Sequence, residues 1–169
     1  VIDNYESQYQ KAFTQMMRGK LGFEGEQESD EKLIAEFLQW MKNANADYTN
    51  TFLSLESELL NRESTIKFTI QQFDEKTTNQ LNTLLAKWKL RVGKNTDNAL
   101  ELMQGANPRV IPRNHLVEKA LNSAANDGDY TQFHDLLKVT TNPYVNDTTA
   151  SNFQVPPTND GSYQTFCGT

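Results

Sequence analysis

Arg109 and Arg113 stand on either side of Pro112 in the stretch GANPRVIPRNH, with His115 closing it. Guanidinium groups beside a helix N-terminus suit an anion, because the first amides of a helix point outward and its dipole favours negative charge. The plainer role for both arginines is to pair with acidic side chains or loop carbonyls and fix the chain direction. The wider segment from Lys87 to Arg113 holds six basic and two acidic residues, and reads as a surface for docking on an acidic neighbour or as a solvated face. His115 reads as a first-turn histidine.

Other chemistry is sparse. His115 and His134 stand nineteen residues apart and form no metal-ligand pair. No H-E-x-x-H or C-x-x-C is present. NSAANDGDYTQFH imitates a calcium loop, but with Gly128 in sixth place the first, third and twelfth ligands fall on Ser123, Ala125 and His134, which is not an oxygen cage. No G-x-S-x-G elbow or kinase signature occurs. Asn146-Asp147-Thr148 is a sequon of low specificity. The residues alone thus predict no metal, no cofactor and no catalytic residue in this chain.

The bulk properties narrow the class. A chain of 169 residues suits one domain with a real core. A net charge of -6 and a pI near 4.9 argue against nucleic acid or an anionic membrane as the main partner. No apolar run is long enough for a span. Cys167 is the single cysteine, so no internal disulfide forms. No signal-peptide pattern opens the chain, which favours a cytoplasmic setting. Val1 in first place suggests a processed product or a piece of something larger.

The elements that must position these residues read as helices. Tyr5, Tyr9, Ala12, Phe13, Met16 and Met17 recur at steps of three and four, one face of a helix. Gly19, Gly22 and Gly25 then predict its end and a loop. EGEQESDE reads as a solvated loop and the acidic first turn of a second helix, capped by Ser29 or Asp30, with Leu33, Ile34, Phe37, Leu38 and Met41 inside. Asp47 predicts the cap of a third helix bearing Tyr48, Phe52, Leu55 and Leu59. Ile66, Phe68 and Ile70 alternate like a strand, but an isolated strand is not stable, so residues 61–73 read as helix or loop. Leu81, Leu84, Leu85 and Trp88 mark a helix ending near Gly93, and Asn95 or Thr96 caps a short one ended by Gly105. Trp40 and Trp88 read as core.

Punctuation accounts for the prolines of the opening stretch. Pro108 biases Asn107 away from helical geometry, and Pro112 suits the first turn of the next helix. Leu116, Val117, Ala120, Leu121 and Ala124 are its expected buried face. Asp127-Gly128 stops it, and Asp129 caps a last helix with Phe133, Leu136 and Leu137 inside. The expectation is an all-α fold, an irregular domain of six or seven helices over residues 1–139. Residues 140–169 follow as an extended C-terminal tail. That tail has no lysine or arginine, three prolines and spaced aromatics at Tyr144, Phe153, Tyr163 and Phe166. It is expected to lie packed on the helical body.

A resemblance adds to this. ANPRVIPRNHLVEKAL, GDYTQFHDLLKV, NPY, VPP and the terminal TFCGT are similar to the C-terminal part of the selenoprotein O family. MMRGKLGF, DEKLIAEFL, ADYTNTF and WKLR resemble the same family in the same order. The likeness is strong from Gly105 onward and thin between about Asn61 and Leu85. It implies a protein adenylyltransferase with a kinase-like fold, moving AMP from ATP, with Mg²⁺ or Mn²⁺, to Ser, Thr or Tyr hydroxyls of other proteins. The family's nucleotide, metal and catalytic residues all lie upstream of the matched region, so none is carried onto a residue here. The partners implied are the kinase-like catalytic region of the same parent chain and the parent's protein substrates.

The resemblance also bears on Cys167, third from the end, where family members carry selenocysteine or cysteine. It implies redox chemistry in the parent through a reversible disulfide with a cysteine near the catalytic lobe. A small apolar anchor beside Phe166 is the alternative. Three functions follow for the chain: a helical domain supporting an adenylyltransferase and inactive alone, a free-standing helical adaptor, or a separate enzyme. The missing catalytic constellation weighs against the last.

Overall fold

The computed structural model describes residues 4–60, 73–145 and 148–157. Among them are seven α-helices, one 3-10 helix and no strand. The expected all-α class is what the chain adopts. The alternating segment from Asn61 to Gln72 lies outside the described residues, as do Tyr163, Phe166 and Cys167. The chain divides into two compact units, Val1–Asn107 and Pro108–Thr169, a boundary inside the span read from sequence as one helical domain.

The first unit holds α1 (Tyr5–Leu21), α2 (Asp30–Ala44), α3 (Tyr48–Leu59), α4 (Glu75–Val92) and α5 (Thr96–Ala106). Local chemistry sets most of their ends. Asp47 Oδ1 accepts the Asn50 amide at 2.8 Å, and Asp74 Oδ1 accepts that of Thr77 at 2.7 Å. Each satisfies one of the free donors that open a helix. Gly22 stops α1 in the left-handed region at φ 70°, where the Phe23 amide turns back to the Arg18 carbonyl. Asn45 does the same for α2 at φ 49°.

Two expected stops fall elsewhere. Gly19 is helical and lies where α1 and α5 approach closely: a Cβ there would stand 3.3 Å from that of Ala106. Gly105 is also helical, and α5 ends one residue later, where Asn107 is extended ahead of Pro108.

Apolar stripes from all these helices except α5's polar edge converge on one core. Met17, Leu21, Phe37, Phe52, Leu55, Trp88 and Met103 are sealed from solvent in it. Trp88 donates its indole N–H to the Leu21 carbonyl at 2.8 Å, and Trp40 donates to Thr77 at 3.1 Å. Both rings thus sit in apolar packing with their one polar atom satisfied. Phe73 meets Trp40 edge-on, 5.2 Å between centroids.

The second unit holds α6 (Asn114–Asp127), α7 (Thr131–Thr141) and a 3-10 helix at Thr148–Phe153. Arg113 is the N-cap of α6. Pro112 therefore stands before the cap rather than in the first turn, and fixes the extended approach into it. Asp129 accepts the Thr131 amide at 2.9 Å and so serves the start of α7, although Tyr130 holds the cap position. Helices α6 and α7 pack on each other. Among the expected inward residues only Ala120 and Leu136 are buried; Leu121, Phe133 and Leu137 are exposed. A helix pair of this length buries one narrow seam, and residues beside the seam stay wet.

Candidate functional site

The proline-arginine connector is held by backbone contacts within the second unit. The amides of Arg109 and Val110 both point to the Pro143 carbonyl, at 2.5 and 3.3 Å. The beginning of the expected tail thus returns to the connector and pairs with it. The Arg113 amide bonds the Ile111 carbonyl at 2.8 Å, and its own carbonyl accepts from Leu116 and Val117. Arg113 is buried and Arg109 half-buried. Arg113 holds the N-cap position of α6 through its backbone, with no hydrogen bond from its side chain to the helix amides. His115 follows in the first turn, half-buried. Burial, and then the positive charge of Arg113, hold its pKa below the usual histidine value.

The basic run that precedes the connector is largely engaged within the first unit. Lys87 pairs with Glu36 at 2.6 Å, Lys89 with Glu58 at 2.5 Å, and Arg91 with Asp30 at 2.6 Å. Three of the six basic side chains counted between Lys87 and Arg113 therefore have acidic partners in their own unit.

Asp30, expected at the cap or acidic first turn of α2 and found as its first residue, is the centre of the most organised polar cluster. It is fully buried. Arg18 Nε donates to its Oδ2 at 2.8 Å, and Arg91 Nε to its Oδ1 at 2.6 Å. The Gln27 amide completes the shell at 3.0 Å. Burial pushes the carboxyl upward, but the bonds from Arg91, the Gln27 amide and Arg18 outweigh it and hold its pKa below the ordinary value. Arg91 also donates to the Glu24 and Gly25 carbonyls and lies 4.7 Å from the Phe23 ring. Arg18 reaches Glu26 as well. This arrangement ties the glycine loop to α1, α2 and α4. Its chemistry is charge neutralisation in the interior, with both Asp30 carboxylate oxygens already bonded.

A second cation closes the other end of the unit. Lys20 Nζ donates to the Ala106 carbonyl at 3.1 Å and lies 3.4 Å from Asn107 Oδ1. It stands 5.6 and 5.4 Å from the ring centroids of Tyr48 and Phe52. Asn107 in turn donates its side-chain amide to the Lys20 carbonyl at 3.0 Å. The ammonium thus caps the negative end of α5 over two aromatic faces. Burial lowers its pKa from the usual lysine value.

The surface between α2 and α4 carries a groove of about 510 Å³ lined by Lys32, Gln39, Trp40, Asn43, Thr83 and Leu84. A second of about 390 Å³ continues past Lys32 and Glu36 to Leu90. Among the described residues, no three His, Cys, Asp or Glu side chains group to hold a metal ion. No helix among them is long and apolar enough to cross a membrane.

Comparison with known proteins finds relatives longer than this chain. The chain is 40% identical over 169 residues to the protein nucleotidyltransferase YdiU of Pelagibacter ubique, covering 99% of this chain and 33% of that protein. It is 38% identical over 172 residues to the protein of the same name from Bacillus cereus strain AH820, again 33% of its length. For the Pseudoalteromonas translucida protein the identity is 36%, over all of this chain and 33% of the relative. The chain therefore spans about a third of the length of the curated relatives it matches. The family model described as protein adenylyltransferase SelO matches residues 1–141, and the chain belongs to the SelO family.

Proposed function

We propose that this chain is the C-terminal helical region of a protein adenylyltransferase, a larger enzyme that transfers AMP from ATP to Ser, Thr or Tyr hydroxyls of proteins. In this reading the ATP, its Mg²⁺ or Mn²⁺ and the catalytic groups belong to a kinase-like region in the rest of the protein. The helical region supports that part and is inactive alone, in the cytoplasm. The observation that carries the reading is the match along nearly the whole chain to proteins three times as long and named nucleotidyltransferases. The interior charges favour it too. Arg18 and Arg91 are balanced by Asp30 and Glu26 within the first unit, a task that belongs to a scaffold.

The test compares this chain with the full-length protein. Titration of the chain with ATP and Mg²⁺ should give no heat of binding, whereas the full-length protein should transfer AMP to a protein substrate. Submicromolar binding by the chain, abolished by Arg109→Ala and Arg113→Ala together, would make the connector a nucleotide contact and end the scaffold reading. Cys167 enters as the redox-responsive thiol of the parent. Full-length protein should respond to reductant, and its Cys167→Ser variant should not. The adaptor reading draws on one observation, the exposure of Tyr130 at the cap of α7 and of Phe133 and Leu137 along it, at steps of three and four. It requires the chain to act without the rest of the enzyme.

A further inference from the structure

Helix α1 carries a single apolar row at four-residue steps: Tyr5, Tyr9, Phe13, Met17 and Leu21. Its two halves have opposite surroundings. Met17 and Leu21 are fully buried, and Phe13 packs against the core they belong to. Tyr9 is 58% exposed and Tyr5 69%. Every residue from Asn4 to Ala12 is exposed. The rings of Tyr5, Tyr9 and Phe13 nonetheless form an ordered ladder, with centroids 6.4 and 6.2 Å apart and planes within 22° and 16°. The core seam thus continues beyond the core, along two turns of helix that nothing described covers.

Two turns of helix without tertiary cover gain nothing from packing of the apolar face, the source of most helical stability in proteins. Tyrosine is also the side chain that suits a contact between folded parts: a large apolar body with a hydroxyl able to reach an acceptor at the rim. Resting on the reading given under Proposed function, we infer that the Tyr5–Tyr9 face is a docking surface for the remaining two-thirds of the longer protein. The surface it fits is apolar, with hydrogen-bond acceptors at its margin for the two hydroxyls.

The amount of surface favours this occupant over a second copy of the chain. Two tyrosines exposed to this extent offer on the order of 200–300 Å². A free dimer needs about 800 Å² from each partner. A part of the same polypeptide needs less, because the covalent link supplies a high effective concentration. The continuity of the row with the core points the same way: the partner extends the packing that Phe13 and Met17 begin.

Hydrogen exchange of the amides from Gln8 to Phe13 tests the inference, read in this chain and in the full-length protein under the same conditions. Exchange in the full-length protein should be slower by about tenfold or more. A full-length variant carrying Tyr5→Ser and Tyr9→Ser should lose that protection while the amides around Trp88 keep theirs. Equal exchange in both proteins would overturn the proposal. So would protection already present in this chain: if it vanishes on dilution the cover is a second copy, and if it persists the cover lies within these 169 residues. AMP transfer by the full-length protein is scored separately. Protection without transfer leaves the docking surface standing and removes the enzymatic reading; transfer without protection does the reverse.

Discussion

The two units solve the problem of burial differently. The first closes five helices around Trp88, Phe37, Phe52 and Met17, and places a neutralised carboxylate inside. The second seals four apolar side chains among its described residues, Val110, Ala120, Leu136 and Ala150, two of them alanines. It leaves Leu121, Tyr130, Phe133, Leu137 and Tyr144 exposed. Burial rises with the size of a unit, and a piece of about 60 residues is marginal by itself. The first unit thus encloses a large apolar core, while the described helices of the second leave much of their apolar surface open.

The largest blow to the first unit is Trp88→Ala. It empties the middle of the core and leaves the Leu21 carbonyl without its donor, so urea unfolding should show a loss of about 4 kcal/mol. Asp30→Asn comes next, at about 3 kcal/mol, because two arginines lose their buried counter-charge. Its pH dependence is a sharper reading. The native carboxyl has a lowered pKa, so its stabilisation is complete above the unfolded value of about 3.9 and is lost as pH falls through the native one. Acid should therefore destabilise the wild-type chain more steeply than Asp30→Asn. Equal acid slopes would mean that Asp30 is not the charged hub described.

Leu136→Ala tests the other side of the comparison. A loss of about 2 kcal/mol is expected for the α6–α7 pair, seen as faster amide exchange there with the first unit's protection unchanged. If protection around Trp88 fell equally, the two units would be one cooperative body and the contrast would fail. The smallest effect is Asp47→Ala, about 1 kcal/mol from loss of the α3 cap, read from the midpoint of the first unit's unfolding.

What the sequence disclosed follows the range of the interaction. Asp47 and Gly93 act on their own or the next few residues, so residue type and position were enough. The tryptophans were legible because few environments accept a ring of that size. The place of Asp30 at the start of α2 was legible, but its burial was not, because its partners stand 12 and 61 residues away, beyond any local pattern, and because an acidic residue in an acidic run suggests solvent. Gly105 resembled a stop, yet the true end of α5 is set one residue later by Asn107 ahead of Pro108, with Lys20 over the last carbonyl. Phe133 and Leu137 fit helical periodicity, but periodicity shows which residues share a face and not whether anything covers that face. For the same reason the aromatic row of α1 was visible and its uncovered half was not.

Gly22 has a consequence on another timescale. Its left-handed φ would tolerate asparagine, as Asn45 shows at the end of α2. Its surroundings do not: a Cβ there would lie 2.9 Å from the Ala99 carbonyl oxygen and 3.0 Å from Met103 Sδ. A smaller residue at position 103 would relieve the sulfur, but no substitution removes a main-chain oxygen. Descent therefore has no two-step path away from glycine at this position. Proteins that share this joining of α1 to α5 should keep glycine there after most of the surrounding sequence has diverged, which makes that one position an inherited signature of the packing.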